Sequence, residues 1–188
     1  MLIALSQPIY GEVYWNGKKI DSLEIANRDR AKYISVLFSN FSFINELSIK
    51  DNILLSASLC KIEDAEIRLS EIASLLLNFK EIDANIDLEN LIEKESIQNL
   101  SNGQKEIIAI ASALLLNADF FIADEMLRSF PDQTKEILFK RLITYFKEKK
   151  VGFFYITHWK RAREMIANCD IEYDIYEIKD QKLQQEKK

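Results

Sequence analysis

The sequence predicts an α/β domain interrupted by a helical insert, and three observations carry that expectation. Two short apolar runs, Phe120-Phe121-Ile122-Ala123 and Val151-Gly152-Phe153-Phe154-Tyr155-Ile156, have the unbroken apolar character of buried parallel strands, and a helical stretch near Gln133 to Lys147 separates them. From about Asn45 to Asn99 the periodicity turns helical and no convincing strand occurs. Near the front, Asn16-Gly17 lies between two strand-like stretches and is a strong type I′ hairpin signal.

Taken in order, Met1 to Leu5 is apolar with no capping residue before it, so it reads as the tail of a helix that Pro8 and Gly11 end. Gly11 to Trp15 and Lys18 to Ile20 form the arms of the hairpin. After a charged stretch at Arg28 to Lys32, Tyr33 to Phe38 is β-branched and aromatic, as a buried strand would be. Ser48-Ile49-Lys50-Asp51 has capping-box spacing, and Ala65, Leu69, Ile72, Ala73 and Leu76 mark one face of a longer helix. Ser101 is placed to cap a mostly buried helix carrying Ile107, Ile108, Ala111, Leu114 and Leu115. Beyond the two parallel-type strands, a helix is expected from about Trp159 to Ala167. A last hairpin is expected from Ile171 to Ile178 and Lys182 to Gln185.

Composition narrows the function classes. The 188 residues are 48% apolar and 29% charged, which suits one globular domain with a core of ordinary size. No run reaches the roughly 18 to 20 apolar residues of a membrane span, and the first residues lack the basic flank and cleavage site of a leader. The chain therefore reads as soluble and unexported. A formal charge of −5 disfavours binding nucleic acid by phosphate neutralisation, and Lys160-Arg161-Ala162-Arg163 reads as a solvated helix face. Cys60 and Cys169 show neither a disulfide framework nor metal-ligand spacing, which points to a reducing cytoplasm.

The two parallel-type strands end in polar residues, Asp124-Glu125 and Thr157-His158, and open α/β sheets bind ligands at the carboxyl ends of their strands. An Asp there can hold a magnesium ion through its water shell, and an adjacent Glu can orient or deprotonate a water. A solvated pair closing a strand is the plainer use of Asp-Glu, and a lone histidine is more often structural. In Leu100-Ser101-Asn102-Gly103-Gln104, a hydroxyl and an unhindered backbone N–H meet at a helix start, which suits an anion. Order and spacing add weight. A serine-glycine helix start, a buried helix, a strand ending Asp-Glu, a helix and a strand ending in His form a specific succession.

On those residues the chain resembles the nucleotide-binding subunit of ABC transporters along essentially its whole length. Leu100 to Gln104 matches the signature motif, with Asn102 where the family usually has glycine; Phe120 to Asp124 matches Walker B; Glu125 falls on the catalytic glutamate and His158 on the switch histidine. The resemblance implies a P-loop NTPase-like ABC ATPase fold in a single domain over 1–188. The α/β core would comprise 1–44 and 100–188, and a helical subdomain 45–99. It also implies ATP and magnesium as cofactors, with Asp124 and Ser39 on the metal side and Ser101, Asn102, Gly103 and Gln104 touching the ATP of a partner subunit.

The departures matter as much. No Walker A motif occurs, because Gly11 to Gly17-Lys18-Lys19 has one residue too many between its glycines and no Ser/Thr after the lysine. By the family pattern the chain begins a few residues after the phosphate-loop lysine. Ser39 stands at the glutamine-loop position, Met126 replaces the usual proline, and Asp132 falls one place late for the aspartate that crosses the dimer interface. Ile107 and Ser112 stand where arginines are common.

In this family two subunits sandwich two ATP molecules. Glu125, His158 and Asp124 would act on nucleotide in the chain's own phosphate loop, whereas Ser101 and Gly103 would serve ATP held by a partner. Three readings follow. The chain is a transporter ATPase subunit whose true start lies upstream or whose front is lost. It is a non-hydrolysing partner donating its signature motif to another ATPase, or a decaying remnant. Or it is a DNA-repair or chromosome-organising ATPase, against which the short helical insert and the acidic balance argue. Expected partners are a second ABC ATPase subunit, identical or different, and a transmembrane permease, with no nucleic acid. The permease would dock near Phe41, Phe43 and Ile44 and place the chain peripherally on the cytoplasmic face of a membrane. Loss of a central strand would leave unpaired backbone groups and an apolar seam, with poor solubility in isolation.

Overall fold

The computed structural model describes residues 10–12, 14, 15, 17–19, 33–77, 91, 92, 96–180 and 182–186. The expected helix tail at Met1 to Leu5 and the charged stretch Arg28 to Lys32 lie outside them. The described elements form two units, 1–157 and 158–188.

In the first unit, β1 (Tyr14–Trp15) and β2 (Lys18–Lys19) pair antiparallel as the expected hairpin, of which Val13, Asn16 and Ile20 lie outside the described residues. Gly17 has φ +74°, a backbone position its missing Cβ makes inexpensive. The main sheet holds three parallel strands in the order β3 (Ile34–Leu37), β4 (Phe120–Asp124), β5 (Gly152–Ile156). Among the described residues β5 pairs only with β4, and its Ile156 is 46% exposed.

Between β3 and β4 come α1 (Ile49–Leu59), α2 (Ala65–Leu77) and α3 (Asn102–Leu114). Ser48 caps α1 by accepting from the Asp51 N–H at 3.0 Å, and its own hydroxyl donates to the Asp51 carboxylate at 2.7 Å. The helical insert buries Leu69, Ile72, Ala73 and Leu76 of the expected stripe, whereas Ala65, in the first turn of α2, is only half-buried. Buried α3 packs on β3, where the buried Ser35 hydroxyl donates to the Ala113 carbonyl at 2.6 Å, so a polar side chain inside the core is satisfied.

Helix α4 (Asp132–Lys149) connects β4 to β5 and covers the sheet with Leu138, Phe139, Leu142, Ile143 and Phe146, all buried. Those positions recur at helical spacing and build an aromatic cluster: Phe146 stacks on Phe153 with centroids 4.7 Å apart and lies 5.1 Å from Phe121, while Phe139 lies 5.3 Å from Tyr155. Lys150 ends α4 in the left-handed region at φ +57°, and the Val151 N–H returns to the Phe146 carbonyl at 2.9 Å.

The second unit holds α5 (Arg161–Ala167) and the hairpin of β6 (Tyr176–Lys179) with β7 (Lys182–Gln185). The strand expected from Ile171 starts only at Tyr176. Arg163 makes a two-pronged ion pair with Glu186 just beyond β7.

Candidate functional site

The carboxyl end of β4 gathers part of the expected site. Asp124 is the last residue of the strand and half-buried, and the Ser39 hydroxyl, from the loop after β3, donates to its Oδ2 at 2.9 Å. The register explains the meeting: Leu37 lies opposite Ala123, so the residues just beyond each strand emerge side by side. Glu125 follows in the left-handed region at φ +52°, its N–H donating to the Ile156 carbonyl at 2.9 Å, which carries the ladder one step past the strand. Leu127 is also left-handed, at φ +70°, and wholly buried, so the turn after the acidic pair is held by packing despite the steric cost.

Two contacts fix that turn. The Tyr155 hydroxyl donates to the Met126 carbonyl at 2.7 Å, and burial, with the nearby Glu125 and Glu106 carboxylates, pushes the phenol up to about 12 although a Thr157 hydrogen bond acts the other way. On the far side the Glu106 carboxylate, 2% exposed within α3, accepts from the Ser129 N–H at 3.0 Å. Nothing in the sequence reading singled out Glu106. A charged residue inside an otherwise apolar helix face was the signal, since such a group is buried only with a specific partner.

The start of α3 forms a complete capping box. Ser101 Oγ accepts from the Gln104 N–H at 3.2 Å, and Gln104 Oε1 accepts from the Ser101 N–H at 2.9 Å. The Lys105 N–H is satisfied by the Ser101 carbonyl at 2.9 Å, which leaves the Asn102 and Gly103 N–H groups as the helix donors without an intrahelical acceptor. Ser101 and Asn102 are exposed. Gly103 has a role beyond an open backbone: a Cβ there would stand 3.1 Å from the Phe130 ring, so the glycine lets α3 and the turn after β4 pack closely.

These pieces meet in one cleft of about 630 Å³, bordered by Ser39, Asn40, Asn102, Lys105, Arg128 and Ser129. Of the expected site residues Ser39 and Asn102 line this cleft, and Asp124 adjoins it through the bond from Ser39. His158 is exposed and opens the second unit, where it stands three residues before α5. Asp132 begins α4, exposed, with Lys135 at 3.8 Å. Lys105 and Arg128 were not foreseen, because a single cation in a first turn or after an acidic pair carries no pattern of its own.

A second, apolar groove of about 280 Å³ lies on the other side of the loop after β3, lined by Phe38, Phe41, Phe43, Ile44, Leu55 and Leu59 among others. Phe41 and Phe43 meet edge to face at 5.5 Å, and Ile44 is 44% exposed. Buried Asn52 holds this loop: its side chain accepts from the Ile44 N–H at 2.8 Å and donates to the Ile44 and Ser48 carbonyls at 3.0 Å.

Comparison with known proteins bears on the same residues. The family described as "ABC transporter" matches residues 1–128, more than half of the chain. Among curated relatives, the lipoprotein-releasing system ATP-binding protein LolD 2 of Rhodopirellula baltica is 28% identical over 90% of this chain and 66% of its own. The spermidine/putrescine import ATP-binding protein PotA of Legionella pneumophila is 25% identical over 84% of this chain and 40% of its own. The oligosaccharides import ATP-binding protein MsmX of Bacillus subtilis is 25% identical over 98% of this chain and 46% of its own. The chain thus spans 40% to 66% of the length of these relatives. In fold it is similar to the dimeric bacterial ABC transporter cassette MJ0796, with TM-score 0.68 at 22% identity over 87% of this chain and 69% of that one. The ADP- and phosphate-bound, post-hydrolysis form of that cassette gives 0.67.

Proposed function

The chain belongs to the ABC transporter family, and from that premise we propose that it is an ATP-binding subunit of a transporter, working as one half of a pair of cassettes beneath a permease. The fold is that of ABC transporter cassettes, a parallel sheet with helices. The observation that carries the reading is the junction at the end of β4, where Ser39 bonds to Asp124 at 2.9 Å beside Glu125 and shares a cleft with the first turn of α3.

The oxygen-only donors Asp124 and Ser39 suit magnesium, a hard cation that keeps much of its water shell; when bound it would neutralise charge on phosphoryl oxygens. Asp124 would hold that ion and Ser39 would orient the carboxylate. Glu125 would take the proton of an attacking water, and His158 would hydrogen-bond the terminal phosphate. The chain's own residues include no Gly-x-x-x-x-Gly-Lys-Ser/Thr sequence, so they do not supply the usual phosphate cradle. Ser101, Asn102, Gly103 and Gln104 would serve nucleotide cradled by the partner. The intact capping box, with the Asn102 and Gly103 N–H groups still open, favours this donor role as the alternative to hydrolysis by the chain itself.

The groove lined by Phe41, Phe43 and Ile44 would receive a short helix of the permease, which would bring the subunit to the cytoplasmic face of a membrane. No helix among the described residues is long and apolar enough to cross a membrane. The relatives are named for polyamine, lipoprotein and oligosaccharide cargo. We assign no cargo, since this subunit would power transport and the permease would select the solute.

Reconstitution with the partner cassette and permease separates the two readings. Glu125→Gln abolishes ATP turnover while sparing ATP binding if the chain hydrolyses. Ser101→Arg lowers the partner's turnover, with Glu125→Gln nearly silent, if it only donates its helix start. Silence of both variants in a complex that forms and hydrolyses ATP would remove both readings.

A further inference from the structure

Among the described residues Glu106 is the one charged side chain that is buried, at 2% exposure, and it stands in a stretch of α3 where Ile107, Ile108, Ala109, Ile110 and Ala111 are buried as well. Stability does not call for a carboxylate there, because burying a charge is costly and an apolar side chain of similar size packs as well or better. What the carboxylate does is accept the Ser129 N–H at 3.0 Å, from the turn after β4.

The turn it grips is held in a shape the backbone does not favour. Glu125 and Leu127 both lie in the left-handed region, at φ +52° and +70°, and the Phe130 N–H closes the turn on the Leu127 carbonyl at 3.2 Å. Side chains other than glycine keep such angles only where their surroundings impose them. Tyr155 of β5 holds the turn through the Met126 carbonyl, and Glu106 of α3 holds it through Ser129. Positions 103 and 106 share one face of α3, and they meet successive residues of the turn: a Cβ on Gly103 would stand 3.1 Å from the Phe130 ring, and Glu106 binds Ser129. The helix face just past the capped start thus docks on the segment that leads away from Glu125. The Tyr155 phenol feels both the Glu125 and the Glu106 carboxylates, which places the three side chains in one neighbourhood.

We infer that Glu106 is a positioning residue for ATP turnover: by holding Ser129 it fixes the strained turn that orients Glu125, and it ties that turn to the helix start of Ser101 to Gln104. Buried as it is, Glu106 acts through these two segments and not on nucleotide itself. The inference rests on the proposed function for the reaction that is positioned; the hold on the turn does not. A hydrogen bond from a buried carboxylate to a backbone N–H is charge-assisted, so its loss lets the turn relax, and a shift of about 1 Å in a positioned group lowers a rate by about 100-fold.

The test compares Glu106→Met and Glu106→Leu, which fill the space without offering an acceptor, with Glu106→Gln, whose side-chain oxygen still accepts from Ser129. In the full chain, deuterium uptake by residues 125–130 quickens about tenfold or more in the Met and Leu variants and stays near the parent's in Glu106→Gln. In the complex with the partner cassette and permease, kcat for ATP falls by about tenfold to 100-fold in the Met and Leu variants with KM within about twofold, and Glu106→Gln restores kcat to within about threefold. Ser35→Ala loses a buried hydrogen bond elsewhere in the core and leaves kcat within about twofold, which separates positioning from loss of stability. Unchanged uptake in the Met and Leu variants, or unchanged kcat in a complex that the parent chain makes active, overturns the inference. An equal fall in kcat in Glu106→Gln or in Ser35→Ala overturns it too, and failure of both the Met and Leu variants to fold makes Glu106 a structural residue with the same result. A parent complex without turnover overturns the proposed function, and the positioned reaction with it, while the uptake still reads the hold on the turn.

Discussion

Gly152→Ala tests how tightly the two strands that lead to the site are packed. Gly152 lies opposite Phe120 in the parallel register, and a Cβ added to it would stand 2.3 Å from Phe120 Cδ2 and 2.5 Å from Cε2. Carbon atoms prefer about 3.5 to 4.0 Å, so the ring must retreat by more than about 1 Å. A Phe ring close to its own backbone has no flexible end to swing aside; it must change rotamer and surrender its contacts. Uncovering about 100 Å² of a half-buried ring costs about 2.5 kcal/mol, and a backbone shift instead costs about 1 to 3 kcal/mol. Replacing glycine in a strand returns about 0.5 to 1 kcal/mol. A net loss of about 2 kcal/mol is expected, read as a lower urea midpoint at unchanged m value. With Phe120→Ala in the background the same substitution becomes neutral or stabilising, which isolates the ring as the cause. Asp124 lies four residues further along β4, about 13 Å away, so the bond it accepts from Ser39 is left in place. A Gly152→Ala chain as stable as the parent would show that no ring occupies that space and would refute the packing.

Ser35→Ala removes the hydroxyl that donates to the Ala113 carbonyl inside the core and lowers stability by about 1 to 2 kcal/mol in the same urea experiment; a change below about 0.3 kcal/mol would contradict the bond. Asn52→Ala strips the stretch from Ile44 to Ser48 of four hydrogen bonds and costs about 2 to 3 kcal/mol, read as a lower urea midpoint; an unchanged midpoint would contradict that network. The raised phenol of Tyr155 gives a pH dependence of defined sign. The folded state keeps the proton to about pH 12 and the unfolded chain loses it near pH 10, so stability is full below about pH 10 and falls as pH rises toward 12. Tyr155 accounts for about 2 to 3 kcal/mol of loss over that window, and Tyr155→Phe removes that share while half-buried Tyr145, also raised, keeps its own; a pH dependence identical in parent and Tyr155→Phe would contradict the burial of Tyr155.

The sequence alone determined the elements whose cause is local. Ser101 caps α3 because a short side-chain oxygen before an apolar helix satisfies an orphan N–H, and the hydrophobic runs at Phe120 and Gly152 became parallel strands because only a sheet covered on its faces accepts such runs. The stripe of Leu69, Ile72, Ala73 and Leu76 was likewise written in helical periodicity. Their ends were less legible: β6 starts at Tyr176 although alternation begins at Ile171, since a strand lasts only as long as its partner β7 offers backbone groups.

Tertiary structure decided what depends on residues distant in the chain. The bond from Ser39 to Asp124 spans 85 positions, and the one from Ser129 to Glu106 makes sense of a charge that no motif explains. Gly103 and Gly152 look alike in sequence to any glycine, and only the Phe130 and Phe120 rings beside them show why a side chain would not fit. Lys105 and Arg128 become a pair only where the start of α3 and the turn after β4 line one cleft. Sequence fixes which groups can donate, accept or carry charge. Their convergence is set by strand register and core packing, in which each residue's position depends on contacts far from it along the chain.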